Sequence, residues 1–260
     1  MSVEKIAVID CDSLAYSIFH PNKEYDDEGN PIKVLSPKGN MVFKYREKTE
    51  EEILKSADYL FKDIMKKGGF THYIGFIKGS NSVDYKRKVL PEYKLNRSGE
   101  EPKHWKFVKN DLLTRFNVFE ANNAEVDDYV NAFRLVHNNS HICAIDSDLL
   151  ALEGYHYNWR KNYWISIDSE KAELEFWKNV IVGTHNNTKG ILGKGIKFFE
   201  NLVDEDEYGT PFPELILHSF TKHFGEYEGI KQFYQNYICC KTLDRIEGID
   251  ITNYKPVLYE

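Results

Sequence analysis

Cysteine, proline and long apolar runs are all scarce in this chain, and each absence excludes something. The cysteines number 4 in 260 residues, Cys11, Cys143, Cys239 and Cys240. They lack zinc-site spacing and are too few to staple a fold of this size, so they read as reduced thiols of a cytoplasmic protein. No apolar stretch is long enough for a membrane-spanning helix. The opening Met1-Ser2-Val3-Glu4-Lys5 runs straight into a strand-like segment with no signal-peptide pattern. Basic charge is not in excess: Lys and Arg total 34 against 41 Asp and Glu, a net charge of −7. That excludes a simple basic coat for nucleic acid. It leaves room for an enzyme whose acidic site carries the negative charge while a local basic stretch does the binding. Neither internal repeats nor low-complexity segments occur.

What is present is an alternation of buried strands and amphipathic helices. Lys5-Ile6-Ala7-Val8-Ile9-Asp10 reads as a buried strand, followed by a helix from Leu14 to Phe19 and by loops or a hairpin over 21–40. Thr49 caps a helix to Lys67, with Glu52 completing a capping box and Gly68-Gly69 ending it. Strands follow at Tyr73–Ile77, Asn117–Glu120, His141–Ile145 and Tyr163–Ile167, with a helix at Trp105–Arg115. From about 174 the pattern turns helical, broken at 204–211 and resumed over 213–240. This order implies an α/β fold with a mostly parallel sheet flanked by helices. The division expected is a core over 1–175 and a helical region over 176–260, with the residues from Leu243 on as a strand or tail against the core.

Acidic residues gather where these strands end. Asp10 and Asp12 follow the first strand, Glu125, Asp127 and Asp128 follow the strand around Val118, and Asp146 and Asp148 follow the strand ending at Ile145. Ligands of parallel sheets collect outside the carboxyl ends of the strands. One rim therefore carries seven carboxylates, which cannot all stay ionised without a cation. Oxygen-only ligands suit Mg²⁺ or Mn²⁺. Glu125 and Asp128, three apart at a helix start, share a face; Asp127 lies off that line. The same acids also suit a plain helix N-terminus, with Asn122 as the cap. His141 and His156 read as polar residues flanking strands, and Tyr155, Tyr157, Trp159 and Trp164 as strand or core aromatics.

Two further stretches complete the pattern. One is a basic, aromatic tract from Tyr85-Lys86-Arg87 through Pro91-Glu92-Tyr93-Lys94-Leu95-Asn96-Arg97. The other is Gly190-Ile191-Leu192-Gly193-Lys194-Gly195 between two helical stretches. Glycines there let backbone N–H groups approach a phosphate, and the next helix offers its positive end. Lys189, Lys194 and Lys197 add charge; the alternative is a helix–turn–helix corner with glycine caps.

The five-part order resembles the 5′ nuclease family of flap endonucleases and 5′→3′ exonucleases, most closely its bacteriophage members, over about residues 5–200. The resemblance implies a PIN-like core and a helix–hairpin–helix (three-turn) element that grips duplex backbone. It implies a phosphodiesterase acting on DNA duplex ends, 5′ flaps or the RNA of RNA–DNA hybrids in phage-type replication or recombination. Asp10, Glu125, Asp127, Asp128, Asp146 and Asp148 match the family's metal-site acids, with Asp12 as an extra. Asp128 and Asp146 would serve catalysis, and Lys86 would hold the scissile phosphate. Arg87, Tyr93, Lys94 and Arg97, together with Lys189, Gly190, Gly193, Lys194, Gly195 and Lys197, would meet nucleic acid. The chain departs from the family in two places. Lys78 stands near where an Asp is usual, and Gly183-Thr184-His185-Asn186-Asn187 lacks two acids. One metal is therefore expected to bind firmly and a second weakly. A competing function is a structure-specific DNA-binding protein with little cleavage. A more distant one is a small-molecule phosphatase, since Asp10-Cys11-Asp12 also resembles the nucleophile loop of haloacid-dehalogenase-like enzymes. The basic tract and the hairpin would then have no purpose.

Overall fold

The structure is a computed structural model that describes residues 4–95, 101–184, 187–206 and 208–259. Strand β1 (Ile6–Asp10) is buried along its whole length. Helix α1 (Cys11–Phe19) starts on the next residue, three earlier than its apolar spacing suggests, because Asp10 caps it by accepting the Asp12 N–H. Short strands β2 (Asn22–Lys23), β3 (Lys33–Leu35), β4 (Met41–Phe43) and β5 (Tyr45–Arg46) form a small antiparallel excursion, β3 with β4 and β2 with β5. Helix α2 (Glu50–Gly68) carries the expected Thr49–Glu52 capping box, and Gly69 ends it at φ +64°. Next come β6 (His72–Lys78), α3 (Asp84–Arg87), α4 (Trp105–Arg115), β7 (Val118–Ala121), α5 (Val126–Val136) and β8 (Ser140–Cys143). An antiparallel hairpin follows, β9 (Gly154–Asn158) with β10 (Tyr163–Ile167). The helices α6 (Ser169–Val182), α7 (Ile196–Asp204), α8 (Phe212–Phe224) and α9 (Glu226–Cys240) precede the last strand, β11 (Val257–Leu258).

The main sheet runs β10-β9-β8-β1-β6, and two strands share the far side of β6. There β11 pairs antiparallel beside His72 and Tyr73, while β7 pairs parallel from Gly75 to Lys78. Strands β9, β8, β1, β6 and β7 are mutually parallel, so their carboxyl ends open on one rim. The apolar run of β1 serves both faces, as successive side chains of a strand alternate. Ala7 and Ile9 pack with Leu14, Ile53, Phe61 and Val108 under α1, α2 and α4. Ile6 and Val8 pack with Tyr129, Val130 and Phe133 of α5. Each such fully buried side chain contributes roughly 1.5–3 kcal/mol. A third cluster, with Trp177, Ile181, Phe199, Phe220 and Phe233, holds α6 to α9 together.

One expectation changes here. His156 does not flank a strand: it lies buried within β9, with Nε2 2.8 Å from the Leu152 carbonyl oxygen. The chain after α9 returns to the core, where Leu243, Ile246, Ile249 and Tyr254 pack on the α5 side before β11 joins the sheet. Among the described residues no helix is long and apolar enough to cross a membrane.

Candidate functional site

The parallel register places the ends of β1, β6, β7 and β8 side by side, and the turns that follow them enclose a cavity of about 830 Å³. Asp10, Asp12, Glu125, Asp127, Asp146 and Asp148 all line it. Asp10 is buried; its Oδ1 accepts the Asp12 N–H at 3.0 Å and its Oδ2 the Ser13 hydroxyl at 2.7 Å. Burial, with Asp12 and Asp146 nearby, pushes its carboxyl up to about 7. Burial and the charges of Asp10 and Asp146 hold Asp127 well above the usual range, and Asp127 accepts no hydrogen bond among the described residues. Asp146 Oδ1 takes the Asp148 N–H at 3.0 Å. Asp12 is raised by burial but drawn back by its bond from the Lys78 N–H (2.8 Å) and by the charges of Lys78, Lys94 and Lys109. The cavity thus crowds acids against acids around Asp10, Asp12, Asp127 and Asp146, while Lys78, Lys94 and Lys109 act on Asp12 and Lys94 acts on Asp127 as well.

The acid side fits a hard divalent cation. Its donors are all oxygen, its charges repel, and Asp127 lines the cavity with no hydrogen-bond donor on it among the described residues. Among the described residues no three Asp, Glu, His or Cys side chains form a ready-made metal cage. A cation held there would therefore complete its shell with water or ligand oxygens.

The acidic stretch opening α5 divides between two jobs. The helix cap is Glu125, not Asn122, and Asp128 completes the capping box by accepting the Glu125 N–H at 2.8 Å. Asn122 instead accepts the Ser80 N–H and hydroxyl, tying the end of β7 to the turn after β6. Glu125 and Asp128 do share a helix face, as their spacing implies, but protein donors occupy both. Glu125 receives Lys86 Nζ at 2.5 Å, the Tyr93 hydroxyl at 3.1 Å, and Lys94 Nζ. Burial alone would raise it, yet Lys86 and Lys94 outweigh burial and hold it at about 2. Asp128 is 0 % exposed. Its oxygens accept the Tyr85 hydroxyl at 2.9 Å, the Glu125 N–H, and the Leu243 N–H at 2.8 Å. Asp128, expected among the metal-holding acids, lies behind the cavity wall as a fastening. Asp127, off the shared line, is the member of the trio that meets Asp10 and Asp146.

Lys86 is 4 % exposed, and burial lowers it less than Glu125 and Asp128 raise it, so it stays charged. Arg87 lines the cavity and donates Nε–H to the Tyr93 carbonyl at 3.1 Å. Arg97 falls outside the described residues, as do His185 and Asn186. Thr184 and Asn187 line the cavity, as does Lys78.

The glycine-rich stretch joins α6 to α7, and its glycines differ. Gly190 is buried at φ +56°, and its N–H donates to Asn236 Oδ1 at 2.9 Å, so it is not open to a phosphate. A Cβ there would meet the Ile181 carbonyl oxygen at 2.4 Å, so glycine permits this backbone crossing. Gly193 and Gly195 are exposed, and Gly195 caps α7 without a side-chain bond. Lys189, Lys194 and Lys197 are exposed beside them, with Lys194 Nζ 4.7 Å from the Phe198 ring centre.

Sequence reading passed over Tyr16, which is 52 % exposed on the cavity wall with its ring 5.4 Å from that of Trp105. Its position four residues after Asp12 on α1 was the available signal, since such pairs share a helix face. Ser13, Lys109, Asn179, Cys239 and Cys240 also line the cavity, the last three from α6 and α9, with no local pattern to announce them.

Neither a protein-family model nor a curated protein sequence matches this chain. Solved structures do. A zinc-bound 5′-exonuclease of phage T5 aligns at 15 % identity and a TM-score of 0.65, over 91 % of this chain and 89 % of that one. A flap endonuclease of bacteriophage T5 in complex with DNA and metal ions aligns at 14 % identity and a TM-score of 0.60, over 90 % and 88 %. The catalytic core of Rad2 with DNA substrate aligns at 14 % identity and a TM-score of 0.51, over 90 % and 72 %. The overall fold of this chain is that of these 5′ nuclease structures.

Proposed function

We propose that this protein is a divalent-metal-dependent 5′ nuclease that hydrolyses phosphodiester bonds in DNA, at duplex ends or 5′ flaps, with RNA–DNA hybrids as further substrates. The observation that carries the reading is the cavity that gathers crowded acid charge at Asp10, Asp127 and Asp146, in ion pairs with no base among the described residues, and lysines in one lining. A phosphodiester needs both: a cation on the acids, and fixed positive charge for its own oxygens. Asp10, Asp127 and Asp146, with Asp12 and Asp148 beside them, would hold Mg²⁺ or Mn²⁺. When bound, such an ion lowers the pKa of water and stabilises charge on phosphate oxygens. The Lys86 and Lys94 pair on Glu125 sets positive potential at the wall, and Arg87 adds a guanidinium. Lys189, Lys194 and Lys197 would take duplex backbone away from the cavity. The likeness to nuclease structures holding DNA and metal ions supports the same reading, and a phage-type replication or recombination role is its natural extension.

A second reading has its own observation: Thr184 and Asn187 bring no charge to the cavity and Lys78 brings the opposite one. That favours a structure-specific DNA-binding protein with little cleavage. The test is digestion of a 5′-labelled flap and a blunt duplex in Mg²⁺ and in Mn²⁺, beside an Asp127→Asn, Asp146→Asn double variant. Cleavage lost in the variant supports the nuclease. Tight flap binding with no cleavage in either protein supports the binder.

A further inference from the structure

We infer that Lys78 is a phosphate-holding residue of this cavity, taking a backbone phosphate of the single-stranded part of the substrate. The inference rests on the nuclease reading and names a contact within it. Lys78 is the last residue of β6, held in register opposite Ala121 of β7. Its backbone is fixed on both sides. Its N–H donates to Asp12 Oδ1 at 2.8 Å, and its carbonyl accepts Lys109 Nζ at 2.7 Å. Only the side chain is left to move, and the residue is exposed at the cavity wall.

The neighbouring lysines are already engaged. Lys86 and Lys94 both pair with Glu125, and Lys109 pairs with Glu120 at 2.6 Å. Lys78 pairs with no carboxylate among the described residues, although Asp12 accepts its main-chain N–H. Of the lysines lining the cavity it is therefore the one whose ammonium can turn to an incoming anion without breaking an ion pair. A phosphate there is attracted by Lys78 with Lys94 and Lys109 behind it. The acids line the same cavity, so a strand held at Lys78 is kept beside them. An ammonium acts as a point charge, so this contact gives affinity and register without base preference.

The experiment uses the full chain and a fluorescently labelled single-stranded oligonucleotide in EDTA. Anisotropy titrations run from 50 to 200 mM NaCl for wild type, Lys78→Met and Lys78→Arg, with thermal melts to confirm folding. Both variants keep the main-chain bonds to Asp12 and Lys109. One lost phosphate contact on a single strand lowers the slope of log affinity against log salt by about 0.7. The expected result is that loss in Lys78→Met, weaker binding at low salt, and recovery in Lys78→Arg. An unchanged slope in Lys78→Met, in a protein that binds the strand and cleaves flaps, overturns the inference and leaves the nuclease reading standing. Absence of binding in wild type, with no cleavage either, overturns both.

Discussion

Asp128 Oδ1 accepts the main-chain N–H of Leu243 at 2.8 Å, across 115 residues of sequence. The same carboxylate takes the Tyr85 hydroxyl and the Glu125 N–H. One buried side chain thereby fastens the basic tract, the first turn of α5 and the segment after α9. These are the parts that bring Lys86, Asp127 and Thr242 to one cavity.

Asp128→Asn separates fastening from metal holding. Three donors point at Asp128, and an amide has a single acceptor oxygen, so at least one donor meets the NH₂ group. The variant is expected to lose about 2–4 kcal/mol, since buried donors left unsatisfied cost about 1–3 each. Mn²⁺ affinity should fall less than in Asp127→Asn. Melting curves and Mn²⁺ titration check this; a stable Asp128→Asn that no longer binds Mn²⁺ would show Asp128 to be a ligand.

Glu125→Gln strands Lys86 in a buried place without its charge partner. Removing one member of a buried pair costs about 3–5 kcal/mol. The pH dependence has a definite sign. Glu125 titrates at about 2 when folded against an ordinary 4.5, so its contribution is complete above 4.5 and is lost as pH falls toward 2. Chemical denaturation at pH 3 and at pH 6 should show the wild type losing the advantage that Glu125→Gln never had.

Asp10 runs the other way. Its carboxyl is raised from 3.8 to about 7, so its cost is absent below 3.8, grows between those values and is complete above 7. In metal-free protein, Asp10→Asn should therefore be more stable than wild type by on the order of a few kcal/mol at pH 8 and little different at pH 4. Melting in EDTA across that range is the measurement. A variant less stable than wild type at pH 8 would contradict the crowding of charge at the acid side.

Gly190→Ala places a Cβ 2.4 Å from the Ile181 carbonyl oxygen, at a φ of +56°. A loss of about 2 kcal/mol or more is expected from the clash and the left-handed backbone. Lys194→Ala and Lys197→Ala touch no such crossing and should melt as wild type. If this loop meets duplex backbone, each should lower the salt slope of duplex binding by about 0.9. Unchanged slopes with intact folding would remove the loop from the interface.

Much of the scaffold was legible because local chemistry carries it. The run Ile6–Asp10, the Thr49–Glu52 capping box and the spacing of Ile53, Ala57, Phe61 and Ile64 specify their elements without help from distant residues. The acids at strand ends were legible for a related reason: in a parallel sheet, position along the chain fixes which rim a residue reaches. The sharing of labour within that rim was not legible. Glu125, Asp127 and Asp128 are equivalent as letters. What separates them is the arrival of Lys86, Tyr93 and Lys94 at one carboxylate, and of Tyr85 and Leu243 at another, from 31 to 115 residues away. Gly190 and Gly193 look alike in sequence, and only the passage of Ile181 and Asn236 beside Gly190 makes it a packing residue. The sequence by itself determined an α/β protein with acids on one edge, because strand period, helix caps and charge are short-range properties. Which acids are paired, which line the cavity and that the Lys78 ammonium pairs with no carboxylate among the described residues were settled only in the folded chain, because burial and ion pairing depend on neighbours that folding brings together.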